Sequence, residues 1–374
     1  MKRIIIALIL VFTLTTGAAA SEFGVPSCIL TEASTGMVLY EYNPDEKLPP
    51  ASVTKIMTLL VVMDAIADGK LGWDEMVQTS EYAASMGGSQ VFLKVGEEMS
   101  VSDMVKCVVV SSANDAAVAL AEKVAGTEEN FVAKMNERAK ELGMTNTVFK
   151  NTNGLDDTDE GHLTSARDIA IMSRELITKH PKILEFSSIW MDTIRNGAFG
   201  LTNTNRLIRF YRGANGLKTG STSKAKFCVS ATAERDGMEL IAVIMAADTR
   251  DARNEAAKKL LDYGFANWEL ARMTPEELAP IKVLGGIEDE VGVTYPECTA
   301  VVAKGNAAKV ERVYEIPENI PAPAAAGEVV GSVSYYISGE KISEVPVTLA
   351  KSVGKIGFMG LFGRFLRRMT LAGM

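Results

Sequence analysis

The sequence predicts an α/β protein of the α+β kind: a central antiparallel sheet with helices, a small all-β domain, and a C-terminal amphipathic helix. Three observations predict it. Residues 53–178 carry several apolar runs at helical spacing, with paired strand-like runs before and after them. Strands at both ends of a helical stretch make one sheet covered by helices the economical arrangement. Beyond residue 272 the texture changes to short runs rich in Val, Thr, Tyr and Glu, which read as strands. The 374 residues suffice for two domains of ~100–200 residues each. A composition of 47% hydrophobic and 23% charged residues is that of an ordinary globular chain.

Taken in order, Cys28–Glu32 and Met37–Tyr42 flank a Ser34-Thr35-Gly36 turn and predict a hairpin. The run Val53–Ala67 is apolar all round and stops at Asp68-Gly69, so it predicts a buried helix. Met104–Val110 and Asp115–Val124 predict two more helices, broken around Ser111–Asn114. Residues 127–142 place Phe131, Met135, Ala139 and Leu142 at helical spacing, and Ser165 is a candidate cap for a helix to Thr178. Phe227–Ala233 and Met238–Ala247, joined through Asp236-Gly237, predict a strand hairpin, and Ala252–Phe265 returns to helix. In the later domain Gly292–Tyr295, Thr299–Ala303, Val310–Ile316 and Gly331–Ile337 read as strands, and Ile320–Gly327 reads as a loop. The boundaries are a leader at 1–20, a first domain at 21–268, a β-rich domain at 272–348 and a tail helix at 351–374.

The leader runs from basic Met1-Lys2-Arg3 through apolar Ile4–Leu14 to small Ala18-Ala19-Ala20, the order of a secretory signal peptide cleaved after Ala20. An uncleaved anchor or a buried strand are the alternatives, although the run is short of the ~20 residues that span a bilayer. In the tail, Phe358, Met359, Leu361, Phe362, Phe365, Leu366 and Met369 share an arc of roughly 160° on a helical wheel. Arg364, Arg367 and Arg368 lie opposite, the pattern of a helix lying in a membrane surface. Gly357, Gly360 and Gly363 weaken that helix by roughly 1 kcal/mol each, so a tail docked on the body or without fixed structure stays open.

Charge excludes some functions. The leader holds two basic residues and the tail five, neither with an acid, so residues 21–350 carry −15 of a net −8. Nucleic acid is therefore not an expected partner. With His162 and His180 as the only histidines and no CxxC, no metal and no cofactor is expected. Cys28, Cys107, Cys228 and Cys298 lie far apart, and both disulfides and buried free thiols fit an exported chain.

Three short motifs carry the chemistry: Ser52-Val53-Thr54-Lys55, Ser112-Ala113-Asn114 and Lys218-Thr219-Gly220. The bare S-x-x-K pattern is weak, since it recurs at Ser221–Lys224, Ser223–Lys226 and Ser352–Lys355. Context separates Ser52, which opens a buried helix and is followed in order by the other two motifs. Residues i and i+3 of a helix share a face, so Lys55 reaches Ser52. A serine hydroxyl attacks only when a base takes its proton. Burial and a neighbouring cation, Lys218, lower a lysine enough to serve as that base. Ser112 would relay a proton from Lys55 to a leaving amine, and Asn114 would offer its amide to Lys55 and to substrate. Lys218 and Thr219 would hold a carboxylate, and Gly220 would let a substrate backbone lie close to the strand. The N–H groups of Ser52 and Ser221 would form the oxyanion site. Taken singly, these residues also read as helix caps, loop polar groups and a strand end.

On these motifs the chain resembles the low-molecular-mass penicillin-binding proteins, the serine D-alanyl-D-alanine carboxypeptidases. Leu48–Met57, Met86–Gln90, Val110–Asp115, Asn153–Leu155 with Gly161-His162, Gly213–Gly220 and Ala257–Phe265 carry the resemblance over most of the chain. It implies a serine β-lactamase/transpeptidase-like first domain. It implies an acyl-enzyme on Ser52, release of the terminal D-alanine from a peptidoglycan stem peptide, and acylation by β-lactam antibiotics. It also implies a position on the outer face of the cytoplasmic membrane, and a place for His162 near the substrate. One departure is Ala225-Lys226 where the family has Ala-Gly, which puts an extra lysine near the site; Ala113 is another. A β-lactamase using a carboxylate among Asp156, Asp157, Asp159 and Glu160, an endopeptidase on the same serine, and a silent penicillin-binding sensor are the rival readings.

Overall fold

The computed structural model describes residues 22–155 and 161–371, and of 367–371 the backbone alone. The leader at 1–20 and the acidic loop residues Asp156–Glu160 lie outside the described residues.

Strands β1 (Ser27–Glu32) and β2 (Val38–Tyr42) form the first hairpin, with Gly36 at φ +74° in its turn. A 3-10 turn, Ala51–Thr54, leads into α1 (Lys55–Ala67). There follow β3 (Met76–Gln78), α2 (Glu81–Ala84), β4 (Glu98–Ser100), α3 (Val101–Val110), α4 (Asn114–Ala125) and α5 (Glu128–Glu141). Then come α6 (Ala166–Lys179), α7 (Ile183–Ser187), β5 (Met191–Ile194), β6 (Phe199–Thr202) and α8 (Leu207–Phe210). Strands β7 (Ala214–Thr222), β8 (Lys226–Arg235) and β9 (Met238–Ala247) precede α9 (Arg250–Asn267). The main sheet has the order β2-β1-β9-β8-β7. Three of its four pairings join consecutive strands through short turns, which makes those pairs antiparallel. The β8–β9 turn has both Asp236 and Gly237 at positive φ, as a two-residue hairpin of matching twist requires.

By their contacts the residues group into two compact units. The first contains Tyr40–Ala231 and Ala242–Leu260. Its centre is α1, where Lys55 to Met63 are all buried, as an apolar-all-round helix must be. Helix starts follow the side-chain caps: Ser80, Ser100, Thr127 and Ser165 each accept the N–H three residues on. The second unit contains Leu261–Met374 with Thr31–Leu39 and Thr232–Ile241. Here β10 (Trp268–Met273) pairs β14 (Cys298–Ala303), and β11 (Ile281–Leu284) lies between β12 (Glu290–Val291) and β16 (Asn319–Pro321). A four-stranded sheet runs β13 (Val293–Thr294), β18 (Glu340–Leu349), β17 (Val329–Ile337) and β15 (Glu311–Glu315). Val333, Tyr335 and Val347 are central to its core. The tail forms α10 (Phe358–Leu371), and no helix among the described residues is long and apolar enough to cross a membrane.

Two sequence expectations change. The proposed loop 320–327 begins in a strand, because Ile320 and Pro321 pair in parallel with Val283 and Leu284. Ser52 lies in the 3-10 turn and not in the α-helix; residues three apart are eclipsed in such a turn, so the pairing with Lys55 survives. None of the four cysteines forms a disulfide.

Asp64, in the last turn of α1, ties three helices together. It meets Arg138 of α5 at 2.9 Å and Lys179 of α6 at 3.1 Å, and His180, just past α6, at 2.8 Å. Burial raises its pKa, but the His180 and Lys179 bonds and the Arg138 charge outweigh that and hold it at about 2. A carboxylate depressed from an unfolded value of about 3.8 stabilises the fold above that pH and loses its contribution as pH falls towards 2. Asp64→Asn should lower the unfolding free energy in urea by about 2 kcal/mol at pH 7. The gap should shrink to about half at pH 3, and an undiminished gap there would refute the charge as its origin.

Candidate active site

The turn Pro50–Thr54 is held from two sides by glycines. A Cβ on Gly220 would stand 2.7 Å from Pro50 O and 2.9 Å from both Ser52 N and Val53 N. A Cβ on Gly154, at φ +83°, would stand 1.8 Å from Ala51 O. Only residues without a side chain let β7 and the 151–155 loop approach the backbone that bears Ser52. The close approach that Gly220 permits is thus to the chain's own turn, in addition to any made by a substrate. Asn151 Oδ1 accepts the N–H of Gly154 at 2.7 Å, and Glu128 accepts Thr152 N and Oγ1, which fixes that loop.

Lys55 is fully buried. Its Nζ lies 3.1 Å from Ser52 Oγ, 2.6 Å from Asn114 Oδ1 and 2.7 Å from Asn153 O. Burial pushes its pKa well below the ordinary lysine range, the Lys218 charge pushes it further, and Asp115 pulls against both. Asp115 is itself buried and accepts the N–H groups of Val91, Leu93 and Ala116. Asn114 donates from Nδ2 to Gly87 O and from its backbone to Ser89 O, each at 2.7 Å. Its amide is therefore already committed to Lys55 and to the Met86–Gln90 loop. Ser112 stands beside Ser52 in the cavity wall at φ +62°, a left-handed conformation that disfavours any side chain. It makes no hydrogen bond to Lys55 here.

Lys218 is 1% exposed and donates to Thr219 O at 2.9 Å. Burial first, and the Arg253 charge second, lower it to about 7. Thr219 Oγ1 donates to Thr204 Oγ1 at 2.8 Å. A cavity of about 550 Å³ opens above these groups, with Ser52, Ser112, Thr219, Gly220 and Ser221 in its wall. His162 is not in that wall. It is buried behind it: Lys150 N–H donates to its Nδ1 at 3.2 Å, so Nε2 carries the proton and donates to Thr54 Oγ1 at 2.8 Å. Its bond to Thr54 places it under the turn that bears Ser52.

Sequence reasoning missed the far wall. Arg206, Arg250, Arg253, Trp190 and Phe210 line it. Arg253 is 3% exposed, bonds to Cys228 O and Asn254 Oδ1, and is lowered to about 10 by burial and then by Arg250. Arg206 and Arg250 form no ion pair among the described residues. Trp190 and Arg206 stand outside the named elements and Phe210 ends α8; Arg250 and Arg253 share the first turn of α9 at i, i+3, the one spacing that could have marked them. A separate depression of about 400 Å³ between the ends of α1 and α5 holds none of the motif residues.

The arrangement matches known proteins at each level. Residues 15–249 match the model of the D-alanyl-D-alanine carboxypeptidase family, and residues 275–355 that of the penicillin-binding protein 5 C-terminal domain. D-alanyl-D-alanine carboxypeptidase DacF of Bacillus subtilis is 42% identical over 351 residues, 92% of this chain and 90% of that protein. The structure of penicillin-binding protein 5 from Haemophilus influenzae superposes with a TM-score of 0.79 at 33% identity, covering 91% of this chain and all of that one. The ampicillin-bound penicillin-binding protein D2 of Listeria monocytogenes gives a TM-score of 0.59 at 33% identity over 64% of this chain and 97% of that one. Matched over most of its length, and with a buried lysine beside a serine on a glycine-held turn, this chain belongs to the family of serine D-alanyl-D-alanine carboxypeptidases.

Proposed function

We propose that Ser52 is the nucleophile with which this carboxypeptidase removes the terminal D-alanine from a peptidoglycan stem peptide, and that β-lactams acylate the same serine. The observation that carries it is the 3.1 Å contact of Ser52 Oγ with a fully buried lysine, whose pKa burial holds well below the ordinary lysine range. Neutral Lys55 takes the proton of Ser52 as Oγ attacks the carbonyl between the two D-alanines. The N–H groups of Ser52 and Ser221 face the oxyanion. Ser112 passes a proton to the leaving nitrogen, D-alanine departs, and water hydrolyses the ester with Lys55 again as base. Thr219 and the arginines of the far wall receive the substrate carboxylate, and Lys218, buried behind Thr219 and outside the cavity wall, contributes its charge from there. A buried Arg253 without an ion-pair partner among the described residues supports that role, since a buried cation gains most from an incoming anion.

The β-lactamase alternative needs a carboxylate aimed at the acyl-enzyme. The candidates for it, Asp156, Asp157, Asp159 and Glu160, lie outside the described residues, and it is the match to the carboxypeptidase family that favours the peptidase. A peptidoglycan enzyme acts outside the cytoplasm. We place this one on the outer face of the cytoplasmic membrane, held by α10. Its Phe358, Met359, Phe362 and Phe365 are 51–79% exposed along one side, and Arg364 pairs with Asp289 at 2.6 Å.

Purified enzyme should release D-alanine from a peptide ending in D-Ala-D-Ala, and Ser52→Ala should release none. Release by the variant would sink the assignment of the nucleophile. The free enzyme's kcat/KM should fall on the alkaline side with an apparent pKa near 7, because Lys218 loses the charge that holds the carboxylate. Lys218→Arg should move that limb up by at least about 2 pH units, since a guanidinium keeps its charge. Phe362→Ser with Phe365→Ser should weaken binding to anionic vesicles by roughly tenfold or more, for the loss of two buried aromatic side chains. Co-sedimentation of the variant at parental affinity would exclude α10 as the anchor.

A further inference from the structure

The active-site cavity does not end at the arginines. A second cavity of about 270 Å³ shares Arg206 and Phe210 with it and continues over the first turns of α9, past Asp251, Glu255 and Lys258. It opens from the end of the site where the carboxylate of the departing residue is received. D-alanine carries only a methyl side chain there, so its release leaves this second space unused. Its lining is of mixed chemistry. Buried Leu207 and Phe210, the latter 65% exposed, are its apolar part. Asp251 and Glu255 add two exposed carboxylates. Asp251 forms no ion pair among the described residues, and Lys258 meets Glu255 only at 3.9 Å.

We propose that this groove is a subsite for a departing C-terminal D-amino acid whose long side chain ends in an amine. The inference rests on the reading of Ser52 and of the arginine wall given above. The α-carboxylate takes the arginines, the methylene chain lies along Phe210, and the ammonium meets Asp251 and Glu255. The chemistry is unchanged. The bond from the D-alanine carbonyl carbon to the α-nitrogen of the departing residue breaks, and that nitrogen takes a proton. Ser52 holds the acyl group as an ester, and water splits the ester and returns the proton to Ser52.

The test compares kcat/KM for three peptides alike except for their last residue: D-alanine, D-norleucine and D-lysine. Norleucine has the chain without the amine. The subsite predicts that the D-lysine peptide exceeds the D-norleucine peptide about threefold to fivefold, the worth of one exposed ion pair. Glu255→Lys should abolish that preference and Lys258→Glu should increase it, opposite signs that a general disturbance of the fold does not produce. A lysine-to-norleucine ratio of one that neither substitution moves would overturn the subsite. So would cleavage of the D-alanine peptide with neither long residue released. Failure to cleave any of the three would instead bring down the catalytic reading, and the subsite with it.

Discussion

The site depends on positive charge held out of water. Lys55 and Lys218 are buried, Arg253 is almost so, and the carboxylate set against Lys55 is Asp115. Burying an ammonium is unfavourable, and burial accordingly lowers both lysines: Lys55 falls well below its ordinary range and Lys218 to about 7. A lysine without its proton is a base, and a lysine near neutrality is a switchable anion receptor. On the proposed reading, in which Lys55 is the base and Lys218 the anion receptor, the same penalty underlies both roles. It is tolerable because Lys55 Nζ finds three oxygens within 3.1 Å, from three separate segments of chain.

Those three segments explain why the surrounding structure is so constrained. Asn153 O is delivered by a loop locked by Asn151 and Glu128, and the loop needs Gly154 to pass the turn. Asn114 is delivered by a helix start whose backbone is bonded to the Met86–Gln90 loop. Asp115, one residue on, fixes the chain at Val91 and Leu93 by accepting their N–H groups. The charge that tempers Lys55 and the bonds that place Asn114 therefore come from neighbouring residues of one helix start. Repositioning either would disturb the other.

The motifs were legible because each combines a residue type with a local spacing. Ser52 to Lys55 is one turn, Ser112 to Asn114 one break between helices, and Lys218 to Gly220 one strand end. The hairpins and most helices were legible from period and caps, as at Ser165 and Asp236-Gly237. The arginine wall was not, since Arg206, Arg250 and Arg253 converge only through the packing of α8 and α9 beside β7. His162 was legible as a neighbour of the site but not as a support beneath it, because which face a ring presents depends on its partners at Thr54 and Lys150. In the second unit, Ile320-Pro321 looked like a loop because proline is rare in strands; in the sheet they occupy they lie at its edge, where a missing N–H is tolerated.

The lysine at position 226 illustrates how charge near a site differs from charge in it. By sequence, a lysine where the family has glycine puts an extra positive charge near the site. Residue 226 sits at φ +55°, the conformation for which glycine is suited, so the side chain is carried at some strain. Yet Lys226 is absent from the cavity wall and is paired with Asp248 at 2.6 Å, both side chains being at least half exposed. An exposed pair of this kind is close to neutral from a distance and worth little in itself. The field felt by a substrate carboxylate is set instead by cations without such partners, Arg206 and Arg250 at the rim and Arg253 beneath. Preference among substrates should accordingly follow the arginine wall and what lies beyond it on α9, and not the residue at which the chain departs from its family.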